Sequence, residues 1–320
     1  MNSFIENIGV SIPLIQGPMG GVSGPELVAA VANSGALGVL PIWADSLEVA
    51  HKSITKTQKK TSKVFAVNLR SDLNQLEHIS MSADLGINVF HLFWGDPSES
   101  AVSIRSRKCK FIATVFDEDS AMRALDAGAA ALVAQGVEAG GHVLSEIPLT
   151  ELVDHVISLS GGIPVIAAGG IARPEEAKSY LDRGASGVLC GTRFVASLES
   201  EAHDEYKTAI IQASGESTAR SICFDLGWPD APHRTLRNST YQMWKNAGFP
   251  PMGERPGEGD MVLTYQEGHS LPRYFVMPPK KGMSGDILAA ALYAGTGVNG
   301  IKSNLSASNI VSCFAEKLCC

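Results

Sequence analysis

Eight short apolar runs recur through the first two thirds of the chain, and this rhythm constrains the fold more than any other feature. They lie at 12–17, 36–40, 64–69, 88–94, 110–115, 130–136, 164–170 and 186–191. Helix-like stretches separate them, as at 25–33, 117–127 and 174–183. Strands that alternate with helices indicate an α/β protein with a parallel sheet covered on both faces. Eight such units predict a closed (β/α)8 TIM barrel, with an open doubly wound sheet as the alternative.

The pattern changes after the eighth run. Residues 199–212 predict a helix, and 213–281 are rich in proline, glycine and aromatic residues. We interpret 213–281 as an inserted loop-and-helix subdomain over one end of the barrel. The apolar stretch SGDILAAALYAG at 284–295 predicts a helix. The expected organisation is therefore a barrel over 1–212, the insertion over 213–281, and a C-terminal helix and tail over 282–320 that return to the barrel.

Composition excludes several classes of partner. The formal net charge is −7, and no stretch is basic enough to follow a phosphate backbone, so no nucleic acid partner is expected. No apolar run approaches the roughly 18 residues that a membrane span requires, so no membrane partner is expected. The N-terminus lacks a secretory pattern, and the six cysteines form no CxxC motif. These features predict a cytoplasmic protein with reduced thiols.

In a barrel of this kind, functional residues gather at the carboxyl ends of the strands. Amides and glycines dominate those positions, while paired carboxylates and clusters of metal ligands are missing, so no metal site is predicted. The side chains and glycines at these ends are Gln16, Gly17, Pro18, Met19, Asn68, His91, Trp94, Gln135, Gly140, Gly141, His142, Gly169, Gly170, Gly191, Thr192 and Arg193.

Two glycine-containing pairs predict a phosphate site. Gly169-Gly170 follows the seventh run and Gly191-Thr192 the eighth, where backbone N–H groups at helix starts favour an anion. The alternative is that these glycines only form tight turns. The amides of Asn68 and Gln135 both donate and accept, which suits the edge of a flat heterocycle. Together these features suggest a nucleotide-like ring such as a flavin.

His142 is the candidate for proton transfer. It follows Gly140-Gly141 at a strand end, where its imidazole would face the barrel mouth. An imidazole titrates near neutrality and is a natural base for a proton on carbon beside an activating group. A structural role remains the alternative from position alone. The sequence GTGVNG at 295–300 matches GxGxxG but follows a predicted helix, so it is not a dinucleotide-binding motif.

Several segments, taken in order, resemble the nitronate monooxygenase family, long called 2-nitropropane dioxygenases. They are PLIQGPMGGVS, VFAVNL, AQGVEAGGH, PVIAAGGIA and GTRFVASLESEAHDEYK, with GWPDAPHRTLRNS and LYAGTGV further along. The resemblance covers most of the chain. It implies a TIM barrel with one non-covalent FMN that oxidises a small-molecule nitronate, and sometimes a nitroalkane, with O2. FabK-type enoyl-ACP reductases and some NAD(P)H:quinone reductases share this framework, so a reductase is the alternative function.

The resemblance also implies roles for individual residues. His142 matches the catalytic base, and Met19 matches the residue that lies against the flavin ring. The implied cofactor-binding residues are Gly17, Pro18, Met19, Asn68, Gln135, Gly140, Gly141, Ala168, Gly169, Gly170, Leu189, Cys190, Gly191 and Thr192. The chain departs from the family at Val143-Leu144 and at Thr296, and we expect both departures to lie near the substrate. A homodimer is left open.

Overall fold

The barrel predicted from the sequence is present and closed. A computed structural model of the protein describes residues 3–319; the first two residues and the last, which the predicted domain bounds include, lie outside it. The eight parallel strands are Leu14–Gln16, Gly38–Pro41, Phe65–Arg70, Val89–Phe93, Lys110–Val115, Ala131–Gln135, Val165–Ala168 and Gly187–Cys190. The first strand pairs with the eighth. It also joins the second, because the N–H of Leu37 donates to Leu14 O and that of Gln16 to Leu37 O, both at 2.9 Å. The predicted (β/α)8 fold class is thus confirmed, and the alternative of an open doubly wound sheet is wrong.

Helices cover the outside of the barrel. They are Pro25–Asn33, Leu47–Gln58, Leu76–Asp84, Ser98–Ser106, Glu118–Asp126, Leu149–Leu159, Pro174–Asp182 and Ala307–Leu318. The last of these packs against the helices that begin at Pro25 and Pro174, which closes the ring. At the opposite end of the barrel from the strand carboxyl termini, the Ser3–Ile8 helix adds Phe4 and Ile8 to the interior core.

Side-chain alternation along the strands explains which residues reach the barrel interior. The inward-facing core includes Ala66, Val89, Ile112, Val133 and Ile166, while intervening residues pack against the helices. Side chains of a strand alternate between its two faces. The residue two positions beyond each of these therefore also faces inward, nearer the carboxyl end. Those residues are Asn68, His91, Thr114, Gln135 and Ala168.

A layer of irregular structure covers this end of the barrel. One antiparallel sheet joins Thr218–Ser221 and His233–Leu236 to Gly141–His142, in the loop after the sixth barrel strand. A second joins Met261–Thr264 to Ser270–Pro272 and Ser284–Gly285. The layer also contains the Ser239–Asn246 helix and the Thr296–Gly300 turn. It therefore continues past residue 281, where the sequence analysis ended the insertion.

Two helix predictions in this region are wrong in part or in whole. No α-helix spans 284–295; the segment contains a short strand and one 3-10 turn, Ile287–Ala289, and Tyr293 then pairs with Thr235. Its apolar residues are mostly buried, with Leu288 exposed, and a nearly continuous apolar run has no periodicity that separates helix from extended chain. The helix predicted over 199–212 begins only at Asp204, because Glu201 and Ala202 are held by backbone contacts with Val22 and Lys280.

Within residues 3–319, no helix combines the length and apolar character needed to cross a membrane. The same residues contain no group of three or more His, Cys, Asp or Glu side chains arranged to hold a metal ion.

Candidate active site

A cavity of about 330 Å³ opens at the carboxyl ends of the barrel strands, a size in the range of small-molecule sites. The strand ends and their loops form its floor. Trp228, Met277, Lys280 and Tyr293 of the covering layer form part of its walls. Of the residues predicted from the sequence, the lining includes Gly17, Pro18, Met19, Asn68, Gln135, Gly140, Gly141, His142, Ala168, Gly169, Gly170, Leu189, Gly191 and Thr192.

Cys190 is the predicted site residue that the cavity lining does not include. Its side chain is buried in the core between the sheet and the helices, where burial raises the pKa of the thiol. Only its backbone lies near the cavity, since its carbonyl accepts a hydrogen bond from the N–H of Gly17 at 2.9 Å. Alternation along the eighth strand explains this, because the neighbouring Leu189 faces the interior instead.

The glycines around the cavity differ in what lies beside them: open space in one case and other parts of the protein in the others. A Cβ on Gly191 would meet no atom within 4 Å, so open space lies beside it. Gly170 has a φ of +68°, and a Cβ there would lie 3.0 Å from Thr296 Oγ1. A Cβ on Gly140 would lie 2.3 Å from the backbone nitrogen of Gly295. Gly140 thus allows one protein segment to approach another, whereas Gly191 leaves room for a ligand.

A chain of hydrogen bonds crosses the floor of the cavity. The side-chain amide of Asn68 donates to the His91 carbonyl at 3.0 Å and lies 3.3 Å from His91 Nδ1. Burial lowers the pKa of His91 to about 4, so this imidazole is neutral. With the Asn68 amide group facing Nδ1, the ring proton belongs on Nε2, which lies 2.9 Å from Thr114 Oγ1. The sequence analysis missed Thr114, although its two-residue offset from Ile112 places it on the same inward face.

Aromatic rings surround the imidazole of His142. It stacks on Trp228 with ring centroids 4.0 Å apart and an interplanar angle of 24°. Trp94 presents a perpendicular ring at 5.9 Å, and His233 and Tyr293 each lie at 5.5 Å. The Nε2 atom of His142 is buried and has no hydrogen-bond partner among the described residues.

The surroundings of His142 keep it uncharged. Burial lowers its pKa well below the usual value, and charge interactions with His233 and Arg70 lower it further. His233 is also neutral, because burial lowers its pKa to about 4. Both nitrogens of His233 are engaged, however: Nε2 accepts from Phe224 N at 3.0 Å, and Nδ1 lies 2.9 Å from Ala231 O. Of the two imidazoles, that of His142 has a ring nitrogen without a hydrogen-bond partner among the described residues.

Arg70 is a buried charge close to the site that the sequence analysis did not identify. Its Nε donates to Asp72 Oδ1 at 2.9 Å, and a second hydrogen bond joins the same two groups. Its guanidinium carbon lies 3.4 Å from the ring centroid of Trp228 and 5.1 Å from that of Trp43. Trp43 and Trp228 line the cavity but come from distant parts of the chain, and no local motif signals their meeting.

Besides Cys190, six positions noted in the sequence lie outside the cavity lining: Gln16, Trp94, Val143, Leu144, Arg193 and Thr296. Gln16 is fully buried and accepts from the N–H of Val39 at 3.1 Å, which links the first two strands. Arg193 donates to the Ser303 carbonyl. Val143 is buried away from the cavity, and the N–H of Thr296 donates to Glu138 O. Val143, Leu144 and Thr296 are not part of the lining, although Gly295 and Gly297 on either side of Thr296 are; that these departures lie near the substrate stays a prediction.

Comparisons with known proteins show what the chain is similar to. A family model described as Nitronate monooxygenase matches residues 2–83 and 73–317. A nitronate monooxygenase of Pseudomonas aeruginosa is 29% identical, covering 82% of this chain and 87% of its own. A (3aS,4S,5R,7aS)-5-hydroxy-7a-methyl-1-oxo-octahydro-1H-indene-4-carboxyl-CoA dehydrogenase of Mycobacterium tuberculosis is 32% identical over 72% of this chain; the match spans 65% of that relative's length. Among solved structures, FabK from Thermotoga maritima superimposes with a TM-score of 0.83 at 25% identity, covering 99% of this chain and 96% of its own.

Proposed function

Because the chain belongs to the nitronate monooxygenase family and is an oxidoreductase, we propose that it binds FMN and oxidises small alkyl nitronates, and some nitroalkanes, with O2. The observation that carries this proposal is the neutral imidazole of His142, which lines the cavity and whose buried Nε2 has no hydrogen-bond partner among the described residues. A base that is uncharged at neutral pH and shielded from water suits removal of a proton from carbon.

The residues around the cavity fit FMN. The open space beside Gly191 would take the phosphate, close to the glycines that end the seventh strand. Asn68 and Gln135 place side-chain amides on the floor, where the polar edge of a flavin ring would lie. Gly17, Pro18 and the partly buried Met19 would line one side of the ring. When bound, FMN would supply the acceptor for the electrons that leave the substrate.

His142 would act on neutral nitroalkanes. Its imidazole would take the proton from the carbon that bears the nitro group, which leaves a nitronate anion beside the new imidazolium. A buried cation without a partner is costly, so the adjacent nitronate would be the group that stabilises it. A nitronate that arrives already ionised has no such proton to lose and would not need the base.

Similarity to a carboxyl-CoA dehydrogenase and to FabK favours a second candidate, an NAD(P)H-dependent reductase of a quinone or an enoyl thioester. Both functions would use the same cavity and the same FMN. They differ in the electron donor, which is the nitronate in the first case and NAD(P)H in the second.

Anaerobic mixing of purified, FMN-loaded protein with propionate 3-nitronate, NADH or NADPH separates the candidates. We expect the nitronate to bleach the flavin absorption rapidly. NADH and NADPH should bleach it much more slowly. Rapid bleaching by NADH or NADPH without bleaching by the nitronate would assign the reductase function. Bleaching by none of the three would contradict both.

A further inference from the structure

The indole of Trp228 lies between two functional groups of the barrel. The guanidinium carbon of Arg70 is 3.4 Å from its ring centroid, and the imidazole centroid of His142 is 4.0 Å away. Two groups this close to one ring centre cannot occupy the same face without overlapping. Arg70 and His142 therefore lie on opposite faces of the indole, and the three groups form one stack.

Each member of this stack is held by separate contacts. Arg70 ends the third barrel strand and is fixed by Asp72 and by Gln75, whose Oε1 accepts from the Arg70 N–H at 2.8 Å. His142 pairs with His233 in an antiparallel sheet, and the side-chain amide of Gln135 donates to the backbone carbonyl of His142 at 3.2 Å. Trp228 is 8% exposed and follows Gly227, which has a φ of +100° and abuts Phe275 and Val276. The stack thus joins the barrel to the covering layer.

We propose that Trp228 is a positioning residue for His142: its indole sets the plane of the imidazole and shields it from water, while Arg70 supports the indole from behind. This inference rests on the proposed role of His142 as the base. A flat apolar ring against the imidazole excludes the water that would solvate a charged form. The insertion would therefore contribute to catalysis through the state of the base, without contacting the reacting carbon.

None of the other described titratable groups around His142 favours its protonated form. Arg70 and His233 both oppose a positive charge on the imidazole. Tyr293 stays neutral, because burial raises the pKa of its phenol well above the usual value. The carboxylate of Asp72 is engaged with Arg70. Removing the indole would let water reach His142 and so favour its protonated form.

The chain offers a matched control for this inference. Trp43 is a second tryptophan that lines the cavity. Its ring centroid lies 5.4 Å from that of Trp228 and 5.1 Å from the guanidinium carbon of Arg70. Its ring makes no contact with His142 among the described aromatic pairs. A substitution at Trp43 therefore disturbs its contacts with Trp228 and Arg70, while the indole of Trp228 still covers the imidazole of His142.

The test is an NMR titration of histidine-labelled full-length protein, wild type and the variants Trp228→Phe, Trp228→Leu and Trp43→Phe. His142→Asn identifies the His142 signal, and exposed His155 is the internal reference. In wild type, Trp228→Phe and Trp43→Phe, we expect His142 to titrate well below the usual range of an imidazole. In Trp228→Leu, which fills space without a flat ring, the titration should move up toward that usual range. If Leu prevents folding, Trp228→Met replaces it as a flexible side chain.

A second readout connects the titration to catalysis. The ratio of nitroalkane to nitronate turnover near pH 6 should fall by up to about 4-fold in Trp228→Leu, the loss expected for an imidazole with an ordinary pKa, and stay near the wild-type ratio in Trp228→Phe. An unchanged His142 titration in Trp228→Leu, or an equal change in Trp43→Phe, would overturn the positioning role. The titration requires no turnover, so it remains decisive even if the protein oxidises no nitronate.

Discussion

The side-chain amide of Gln135 donates a hydrogen bond to the backbone carbonyl of His142 at 3.2 Å. Gln135 ends the sixth barrel strand and also lines the cavity floor. One residue therefore both faces the proposed flavin site and holds the loop that carries the proposed base. A substitution at Gln135 would disturb both functions together, so the predictions below rest on positions that separate them.

The purified protein should be yellow, and heating should release FMN and not FAD. The reason is the open space beside Gly191, where we propose that the single phosphate of FMN binds at the ends of the seventh and eighth strands. Absorption spectra and chromatography of the released flavin are the measurements. Colourless protein that cannot be reconstituted with FMN would contradict the cofactor assignment.

Gly191→Leu should abolish FMN retention and leave the barrel folded. The backbone of Gly191 has a φ of −96°, which any residue can adopt, and its missing Cβ faces space free of protein atoms. A leucine there would fill the proposed phosphate site without displacing the chain. FMN affinity of the apoprotein and the melting temperature should be measured together. Gly259→Leu, at an exposed glycine that is also free of neighbours, is the control and should bind FMN normally.

Gly170→Ala should destabilise the protein, in contrast to Gly191→Ala. Gly170 has a φ of +68°, a conformation that costs a residue with a Cβ about 1–3 kcal/mol, and its Cβ would press on Thr296 and Glu138. The free energy of unfolding in urea, measured without cofactor, checks this. Equal stabilities for the two alanine variants would show that the loop after the seventh strand relaxes freely.

His142→Asn should reduce turnover of neutral nitroalkanes by roughly 100-fold or more, the scale of general-base catalysis. Turnover of pre-ionised nitronates should remain largely intact, because they carry no proton for the base to remove. FMN content should be nearly unchanged, since Asn68, Gln135 and Gly191 remain in place. Steady-state kinetics with a nitroalkane and with its own nitronate make the comparison. Equal losses on both substrates would refute the base assignment.

The folded protein should lose stability as the pH falls below about 6.5, and His91 should contribute to that loss. Burial lowers the pKa of His91 to about 4 in the folded state, whereas the unfolded chain titrates near 6.5. Between these values the unfolded state binds a proton that the folded state does not. Each pH unit in that interval therefore costs up to about 1.4 kcal/mol of stability for such a group.

His91→Gln should flatten this dependence, because glutamine can still form hydrogen bonds with Asn68 and Thr114 but does not titrate. The free energy of unfolding at several pH values between about 4.5 and 7.5 gives the slope. His155→Gln, the same substitution at an exposed position, is the matched control. A slope that is the same in His91→Gln and wild type would mean that His91 is solvated in the folded protein.

Local sequence patterns were sufficient to predict the barrel and the parts of the chain that reach its mouth. Apolar runs gave the positions of the strands, and Pro25 and Pro174 marked the first residues of two helices. Alternation of side chains along the strands also places Thr114 on the inner face of the barrel and Cys190 on its outer face. These features depend on neighbours within a few residues along the chain, so they can be read from the sequence alone.

Tertiary structure alone decided how His142 is surrounded. Arg70, Trp228 and His142 lie far apart in the sequence, and no periodicity or motif encodes that a guanidinium, an indole and an imidazole will stack. The same holds for Gly140, whose close approach to Gly295 depends on a segment more than 150 residues further along. The amino-acid sequence by itself determined the alternation of strands and helices and the strand ends that carry the site, through local periodicity, whereas closure depended on the first strand pairing with both the eighth and the second. The folded chain decided the protonation state and orientation of the proposed base, because desolvation and stacking depend on which distant side chains meet there.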